Sequence, residues 1–131
     1  MLPATVRLRR RVEFDAVVRR GQRSGHGPLS VHVHPGMPHT SVGFIVSRAV
    51  GNAVTRHRVT RQLRHLMRDR YRDLPPGTGL VVRALPAAAD RTSGELGRAL
   101  DHALDRALDR ALTRTRTGQG SRDSRGQAGP S

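Results

Sequence analysis

Several residue types that shape most globular proteins are scarce in or absent from this chain of 131 residues. It has no cysteine, tryptophan or lysine, and it has one tyrosine and two phenylalanines. The absence of cysteine excludes disulfides, thiolate catalysis and cysteine-ligated zinc sites. The apolar runs, such as residues 43–46, are far too short to span a bilayer, and the arginine-rich N-terminus lacks the apolar segment of a secretory signal. We therefore expect a cytoplasmic protein that does not cross a membrane.

Acidic residues are also few, ten against 24 arginines, and most of them are isolated or lie on the last predicted helix. Metal-dependent nucleases need carboxylates that converge on ions about 4 Å apart, and the sequence predicts no such group. His32 and His34 share a strand face and His39 is nearby, yet hydrogen-bonded or solvent-facing histidines are favoured over a metal site by roughly nine to one. We therefore expect no catalytic residue, no metal and no cofactor on the chain itself.

The excess of arginine is the dominant feature of the composition. The formal net charge is +14, and all 24 basic residues are arginines. A field of this sign attracts polyanions, so nucleic acid or an anionic membrane surface is the expected partner. Arginine also binds phosphate through a planar fork of donors and stacks on bases. A GC-rich genome would explain arginine in place of lysine, but it would not explain the excess of basic over acidic residues.

Hydrophobic periodicity predicts alternating helices and strands over most of the chain. The first helix covers residues 12–20, and a weak edge strand lies near residues 22–26. Strict alternation over residues 29–34 predicts a strand with His32 and His34 on one face. Residues 41–47 and 80–85 are apolar, as expected of buried strands. Between them, a helix over residues 52–72 has Asn52 as its N-cap.

The last helix carries a four-residue repeat of Ala, Leu, Asp and a basic residue. It begins at Thr92-x-x-Glu95, which has the form of a capping box. Because four residues overshoot one turn, the leucine stripe rotates by roughly 40° per repeat. We expect the first turns to pack on the sheet and the last turns to extend into solvent. Residues 115–131 have almost no apolar side chains, so they are predicted to form a disordered basic tail after a domain of residues 1–114.

The middle helix has the most informative charge pattern, because its apolar and basic side chains separate on a helical wheel. Its apolar side consists of Val59, Leu63, Leu66, Met67 and Tyr71, and its basic side consists of Arg58, Arg61, Arg64, His65, Arg68 and Arg72, with His57 beside them. Only Asp69 offsets this row. Like charges at i,i+3 or i,i+4 cost about a few tenths of a kcal/mol per pair. A row without compensation is typical of a surface that meets polyphosphate.

Other uses of a basic helix fit this sequence less well. A face that serves only solubility interleaves acidic with basic residues. A membrane-surface helix has a broader apolar stripe and more aromatic residues, and a helix that reads DNA bases has Asn, Gln or other mixed side chains among its arginines. A structural ribosomal protein of similar charge and fold stays as an alternative.

The segment from Val46 to Arg64 (Val-Ser-Arg-Ala-Val-Gly-Asn-Ala-Val-Thr-Arg-His-Arg-Val-Thr-Arg-Gln-Leu-Arg) resembles the signature of the bacterial ribonuclease P protein subunit family. That signature is an Arg-Asn-Arg helix preceded by Lys/Arg-x-x-Gly-x-Ala-Val. Residues 7–14, with Gly21, resemble the first helix of the family, and residues 42–47 resemble the strand before the signature. The resemblance covers roughly residues 5–110 in the same order. His57 replaces the central Asn, and Thr60 and Gln62 occupy positions that are usually basic.

The resemblance implies an α+β two-layer sandwich of order α-β-β-β-α-β-α, similar to ribosomal proteins, with a left-handed βαβ crossover. It implies the protein subunit of ribonuclease P, the ribonucleoprotein endonuclease of tRNA processing, in which a catalytic RNA removes the 5′ leader from precursor tRNA. In such an enzyme the chemistry and the Mg²⁺ belong to the RNA. The implied partners are the catalytic RNA and the precursor tRNA leader, with no obligate protein partner.

The resemblance also implies two RNA-binding surfaces. The signature helix meets the catalytic RNA, and a cleft between the first helix and the sheet binds the single-stranded leader. The implied RNA-binding residues are Arg10, Phe14, Val18, His32, Arg48, Asn52, Arg56, His57, Arg58, Arg61, Arg64 and Arg68. Phe14 stands where the cleft has an aromatic ring that can stack on a base, and an ordinary core position is an equally weighted alternative.

Overall fold

The computed structural model describes the backbone of residues 11–120 and the side chains of residues 12–113. Its helices and strands, in chain order, are α1 (Arg11–Arg20), β1 (Gln22–His26), β2 (Leu29–His34), β3 (Ser41–Val46), α2 (Ala53–Arg68), β4 (Gly79–Ala84) and α3 (Ser93–Gly120). Short 3-10 turns follow α2 and β4, at Tyr71–Asp73 and Pro86–Asp90. The predicted order α-β-β-β-α-β-α is confirmed, including the weak edge strand β1.

The four strands form one mixed sheet in the order β1-β2-β4-β3. β2 pairs antiparallel with β1 and with β4, whereas β3 and β4 are parallel neighbours connected through α2. This connection is the βαβ unit that the family resemblance implies. Because side chains alternate along a strand, the register assigns each residue to one of two faces.

The main core lies between α2, α3 and one face of the sheet. The sheet contributes Leu29, Val31, Val33, Val42, Leu80 and Val82, and the two helices contribute Val59, Leu63, Met67, Leu96 and Leu100. All of these side chains are at most 1 % exposed, and each contributes about 1.5–3 kcal/mol by leaving water. The predicted sandwich of helices on a sheet is thereby confirmed, and the predicted apolar side of the signature helix is the side that packs.

α1 packs on the opposite face of the sheet and covers only part of it. Val17 and Val81 are both fully buried there, with Phe14, Val18, Met37 and Ile45 packed around them. A Cβ atom at Gly79 would lie 2.7 Å from Cγ2 of Val17, so this glycine permits the close approach of α1. Arg23 and Arg83 are on the same face and are exposed. The part of this face beside α1 is therefore open to solvent, and we refer to it as the cleft, after the one that the family resemblance implies.

The prediction that the middle helix continues to Arg72 is wrong, because α2 ends at Arg68. Arg70 follows the helix as the N-cap residue of the 3-10 turn at Tyr71–Asp73. Its guanidinium donates to the carbonyl of Leu66 at 2.8 Å and to the carboxylate of Asp101 on α3 at 2.6 and 3.2 Å. The helix thus ends next to a contact with a residue 31 positions away along the chain. The local sequence does not indicate that contact.

The predicted capping box at the start of α3 is confirmed by two reciprocal hydrogen bonds. The Glu95 amide donates to Oγ1 of Thr92 at 3.1 Å, and the Thr92 amide donates to Oε1 of Glu95 at 2.9 Å. The predicted rotation of the leucine stripe is also observed, since Leu100 is fully buried and Leu112 is 44 % exposed. The helix continues to Gly120, beyond the predicted boundary at residue 114. Residues 121–131 of the predicted tail lie outside the described residues.

Side chains of α3 also contact the edge strand β1. Arg110 donates from Nη1 to the carbonyl oxygen of Arg23 at 2.8 Å. Two turns earlier, the ring of His102 stacks on His26, with 4.6 Å between the ring centroids. These contacts hold α3 against β1, which is an edge strand of the sheet.

Candidate RNA-binding surfaces

The beginning of α2 is organised by its own side chains. Oδ1 of Asn52 accepts a hydrogen bond from the Thr55 amide at 2.9 Å, which confirms Asn52 as the N-cap and contributes about 1 kcal/mol to the helix. Arg56 is half-buried and donates from Nε to the carbonyl of Gly51 at 3.2 Å. Arg48, in the turn before the helix, is exposed. The signature segment therefore begins with a fixed backbone and an exposed arginine.

The outer side of α2 carries a shallow groove of about 700 Å³ that is lined by basic side chains. Its lining consists of His57, Thr60, Arg61, Arg64, His65 and Arg68. None of these six residues is acidic, and Asp69 makes only a 3.7 Å approach to Nε of Arg68, so most of the positive charge is left unpaired. Nε of Arg64 is buried and has no hydrogen-bond partner within the described part of the chain. An anionic ligand with several oxygens would match the charge of this lining.

Two of the predicted basic residues do not line the groove. The guanidinium of Arg58 donates to the carbonyl of Ala89, which holds this side chain against the turn after β4. Arg72 lies on the 3-10 turn after α2, with its guanidinium carbon 5.8 Å from the ring centre of Tyr71. Arg10 lies outside the described residues. The groove lining thus contains fewer arginines than the predicted basic side of the helix, and it also includes His65 and Thr60.

The cleft beside α1 brings together the other predicted site residues. Phe14 and Val18 are half-buried and pack on the Val17–Val81 cluster. Phe14 therefore fits both the predicted stacking ring and the alternative of a core position, because it contributes to a small core and keeps part of its surface open to solvent. His32 lies on the same face of the sheet, directly opposite Val81 on the neighbouring strand.

Two arginines beside His32 were not predicted as site residues. Arg23 is its direct partner on β1, and Arg83 is a diagonal neighbour on β4. Burial, followed by the positive charges of Arg83 and Arg23, lowers the pKa of His32 below 6.5. Strand alternation would have placed both arginines on the His32 face, but only once the pairing of β1 with β2 and of β2 with β4 was known.

The other candidate chemistry on this face is limited. Burial and the nearby charge of Arg20 lower the pKa of His34. Among the residues that the structure describes, no group of three or more His, Asp or Glu side chains is placed to hold a metal ion. In the same part of the chain, no helix combines the length and apolar character needed to cross a membrane.

Comparison with known proteins identifies relatives along most of the chain. Residues 2–108 match the family model described as Ribonuclease P. A ribonuclease P protein component from Streptomyces avermitilis is 51 % identical over 111 residues, which cover 77 % of this chain and 90 % of the relative. One from Nocardioides is 50 % identical over 105 residues, with the same coverage of both chains.

Solved structures agree with the fold described above. The RNase P protein from Staphylococcus aureus superposes with a TM-score of 0.69 at 23 % identity, over 78 % of this chain and 94 % of that one. The RNase P protein from Thermotoga maritima gives a TM-score of 0.66 at 24 % identity, over 76 % and 96 % of the two chains. At this level of identity the structural likeness supports the fold, and the sequence matches support the family.

Proposed function

The chain belongs to the ribonuclease P protein family, and from that premise we propose how its surfaces divide the work of the enzyme. As a protein component of ribonuclease P, it is part of a ribonucleoprotein endoribonuclease and works with an RNA subunit in removing the 5′ leader from precursor tRNA. The proposal concerns which residues meet which RNA.

The groove on α2 binds the catalytic RNA. The observation that carries this assignment is that six side chains, five of them arginine or histidine, surround a concave surface that contains no carboxylate. Arginines placed in this way form bidentate hydrogen bonds with phosphate and release bound counterions. Asn52 fixes the start of the helix, and Arg48 extends the basic surface beyond it.

The cleft beside α1 binds the 5′ leader. Its floor is the open face of the sheet, and its wall is α1 with the half-buried Phe14 and Val18. A partly exposed ring can stack on an unpaired base, which contributes about 1–3 kcal/mol per base. Mature tRNA has no leader and gains nothing from this cleft.

The chain supplies charge and shape, and the RNA subunit supplies the chemistry with its Mg²⁺. Arginines that screen the repulsion between two RNAs replace part of the ionic screening otherwise provided by magnesium. The protein therefore lowers the Mg²⁺ concentration needed for cleavage. We place this activity in the bacterial cytoplasm, without a membrane or an obligate protein partner.

The test is to compare the affinity of the reconstituted holoenzyme for precursor and mature tRNA while the leader is shortened one nucleotide at a time. The preference for precursor should fade over the first several nucleotides. It should also decrease with Phe14→Ala, and Phe14→Leu separates stacking from packing because it keeps apolar volume and removes the ring. Equal strengthening of precursor and mature binding by the protein would refute the cleft assignment and leave only the electrostatic role.

A further inference from the structure

One side of α2 and of the turn after it contacts the segment that follows β4 at a constant sequence offset. Each polar contact joins a residue to the one 31 positions later, in the pairs Arg58–Ala89, Gln62–Ser93 and Arg70–Asp101. Between the last two pairs, a Cβ atom at Gly97 would lie 3.3 Å from Cδ2 of Leu66. The constant offset means that α2 runs parallel to the start of α3 in a fixed register. We refer to Arg58, Gln62, Leu66 and Arg70 as the seam.

The seam and the basic groove lie on adjacent sides of the same helix. Arg58 and Gln62 directly follow the groove residues His57 and Arg61 in the chain. Consecutive residues of a helix are about 100° apart around its axis. None of the seam residues is among the six that line the groove. The direction in which the groove faces therefore depends on how the seam holds the helix.

The first half of α2 has less apolar packing than the second half. Val59 is the one buried side chain within residues 53–60, and Val54 in the same stretch is 79 % exposed. The second half buries Leu63 and Met67 in the main core. Since apolar burial supplies most of the packing energy, polar contacts contribute a larger share of what fixes the first half. Those contacts are made by the first two residues of the seam.

The turn that Arg58 contacts is itself fixed to the rest of the fold. Within the turn Pro86–Asp90, Ala88 is fully buried in the main core. The Leu85 amide, directly before the turn, donates to the carbonyl oxygen of Pro28 at 2.8 Å. The ion pairs found among residues 12–113 do not involve Arg58. The contact of Arg58 with the Ala89 carbonyl therefore joins the first half of α2 to an anchored part of the backbone.

We propose that Arg58 is a positioning residue for assembly with the catalytic RNA. Together with Gln62, it holds the first half of α2 in the orientation in which the groove receives RNA phosphates, and it does not itself bind RNA. This inference rests on the proposed role of the groove and deepens it. Arg70 also belongs to the seam, but it lies beyond Arg68, the last residue of both α2 and the groove. Its contact therefore stabilises the fold without orienting the groove.

The experiment measures the affinity of the full-length protein for the catalytic RNA at several salt concentrations. Arg58→Met and Arg61→Met each remove one charge and keep the apolar stem of the side chain. Arg61→Met should weaken binding by about tenfold and lower the slope of log affinity against log salt by about one unit or less, because a phosphate contact is lost. Arg58→Met should weaken binding by about three- to tenfold and leave the slope unchanged, because no phosphate contact is lost.

Three further variants separate position from charge and from stability. Arg91→Met removes a charge directly after the turn that Arg58 contacts, and it should leave affinity and slope nearly unchanged. Ser93→Ala removes the acceptor of Gln62 without changing any charge, so it should weaken binding by about twofold and add to the loss in Arg58→Met. Arg70→Ala breaks the seam beyond the groove and should leave affinity nearly unchanged.

The outcomes distinguish this inference from the proposed function. A lower salt slope in Arg58→Met would show that Arg58 binds phosphate, and an unchanged affinity would show that its contact is only structural. Either result would overturn the positioning role and leave the groove assignment intact. If Arg61→Met changed neither affinity nor slope, the groove assignment would be wrong and this inference with it. If Arg58→Met does not fold, Ser93→Ala, at an exposed residue, decides by the same two measurements.

Hydrogen exchange of the free protein tests the physical step directly. Backbone amides in residues 56–60 should exchange faster in Arg58→Met than in the unsubstituted protein, whereas those in residues 63–67 should change little. Equal protection of the first half of α2 in both proteins would contradict the proposal, because the helix would then be held without Arg58.

Discussion

α2 and α3 pack side by side on the same face of the sheet, yet their outward faces differ. On α2 the groove residues are basic or neutral. On α3 the aspartates Asp101, Asp105 and Asp109 recur every four residues, and each is followed by a basic residue, namely His102, Arg106 and Arg110. Both helices are rich in arginine. The difference lies in whether carboxylates accompany the arginines, and only the unaccompanied set offers its full charge to RNA.

The contacts of the charged side chains differ between the two helices in the same way. Asp101 of α3 pairs with Arg70 at 2.6 Å, and Arg110 donates to the backbone of β1. These charged side chains of α3 thus stabilise contacts within the protein. In the groove of α2, Arg61 makes no side-chain hydrogen bond or ion pair among residues 12–113, and Arg68 has only a 3.7 Å approach to the adjacent Asp69. The number of arginines is thus a poor guide to the binding surface, and their neighbours are a better one.

The strongest test of this comparison removes two arginines from each helix. Arg61→Ala with Arg68→Ala should weaken binding to the catalytic RNA by about 3 kcal/mol, or roughly a hundredfold. The slope of log affinity against log salt should fall by about two units or less. The matched control, Arg98→Ala with Arg106→Ala, removes the same charge from α3 and should change both quantities far less. Equal losses of affinity in the two double variants would mean that net charge, and not the groove, determines binding to the catalytic RNA.

A smaller effect is expected where the two helices meet. Arg70→Ala removes the bond to the Leu66 carbonyl and the pair with Asp101, so the free energy of unfolding should fall by about 1 kcal/mol. Asp101→Asn keeps a polar partner and should cost less. Denaturant unfolding measures both. Catalytic-RNA affinity at a temperature where the protein is folded should be nearly unchanged, and a large loss would place Arg70 in the RNA surface.

The buried His32 and the half-buried His34 predict how stability depends on pH. The pKa values of His32 and His34 are lowered in the folded chain, whereas the unfolded chain titrates near 6.5. Below that pH the unfolded chain binds more protons, so the free energy of unfolding should decrease as the pH falls from 6.5 toward the folded values. Thermal unfolding at several pH values checks this. His32→Gln should reduce the slope, and His39→Gln serves as the control.

The smallest effect is predicted for the end of the chain. Deletion of residues 115–131 should leave the melting temperature and RNA-dependent activity nearly unchanged, because the segment has too little apolar surface to pack. A modest loss of RNA affinity would fit the removal of Arg116, Arg122 and Arg125. A large drop in melting temperature would instead mean that the last turns of α3 contribute to the core.

Local sequence was enough to predict the element order, the N-cap at Asn52 and the capping box at Thr92, because these depend on residues within a few positions of each other. It also separated the packed and basic sides of α2. It failed at the end of α2, where Arg70 meets Asp101 on another helix. It also did not indicate the contact of Arg58 with the turn at Ala89, or the position of Arg23 and Arg83 beside His32, which follows from strand pairing. Each of these misses depends on a contact between distant parts of the chain.

The contacts of α3 with β1 also affect how this chain behaves toward copies of itself. An edge strand can accept the strand of another molecule through its backbone, and such pairing leads to aggregation. Here Arg110 donates a hydrogen bond to the carbonyl oxygen of Arg23, and the stacked rings of His26 and His102 lie at the other end of the strand. An incoming strand would have to displace these side chains before it could pair. At this edge of the sheet, α3 thus opposes pairing with a second copy of the chain.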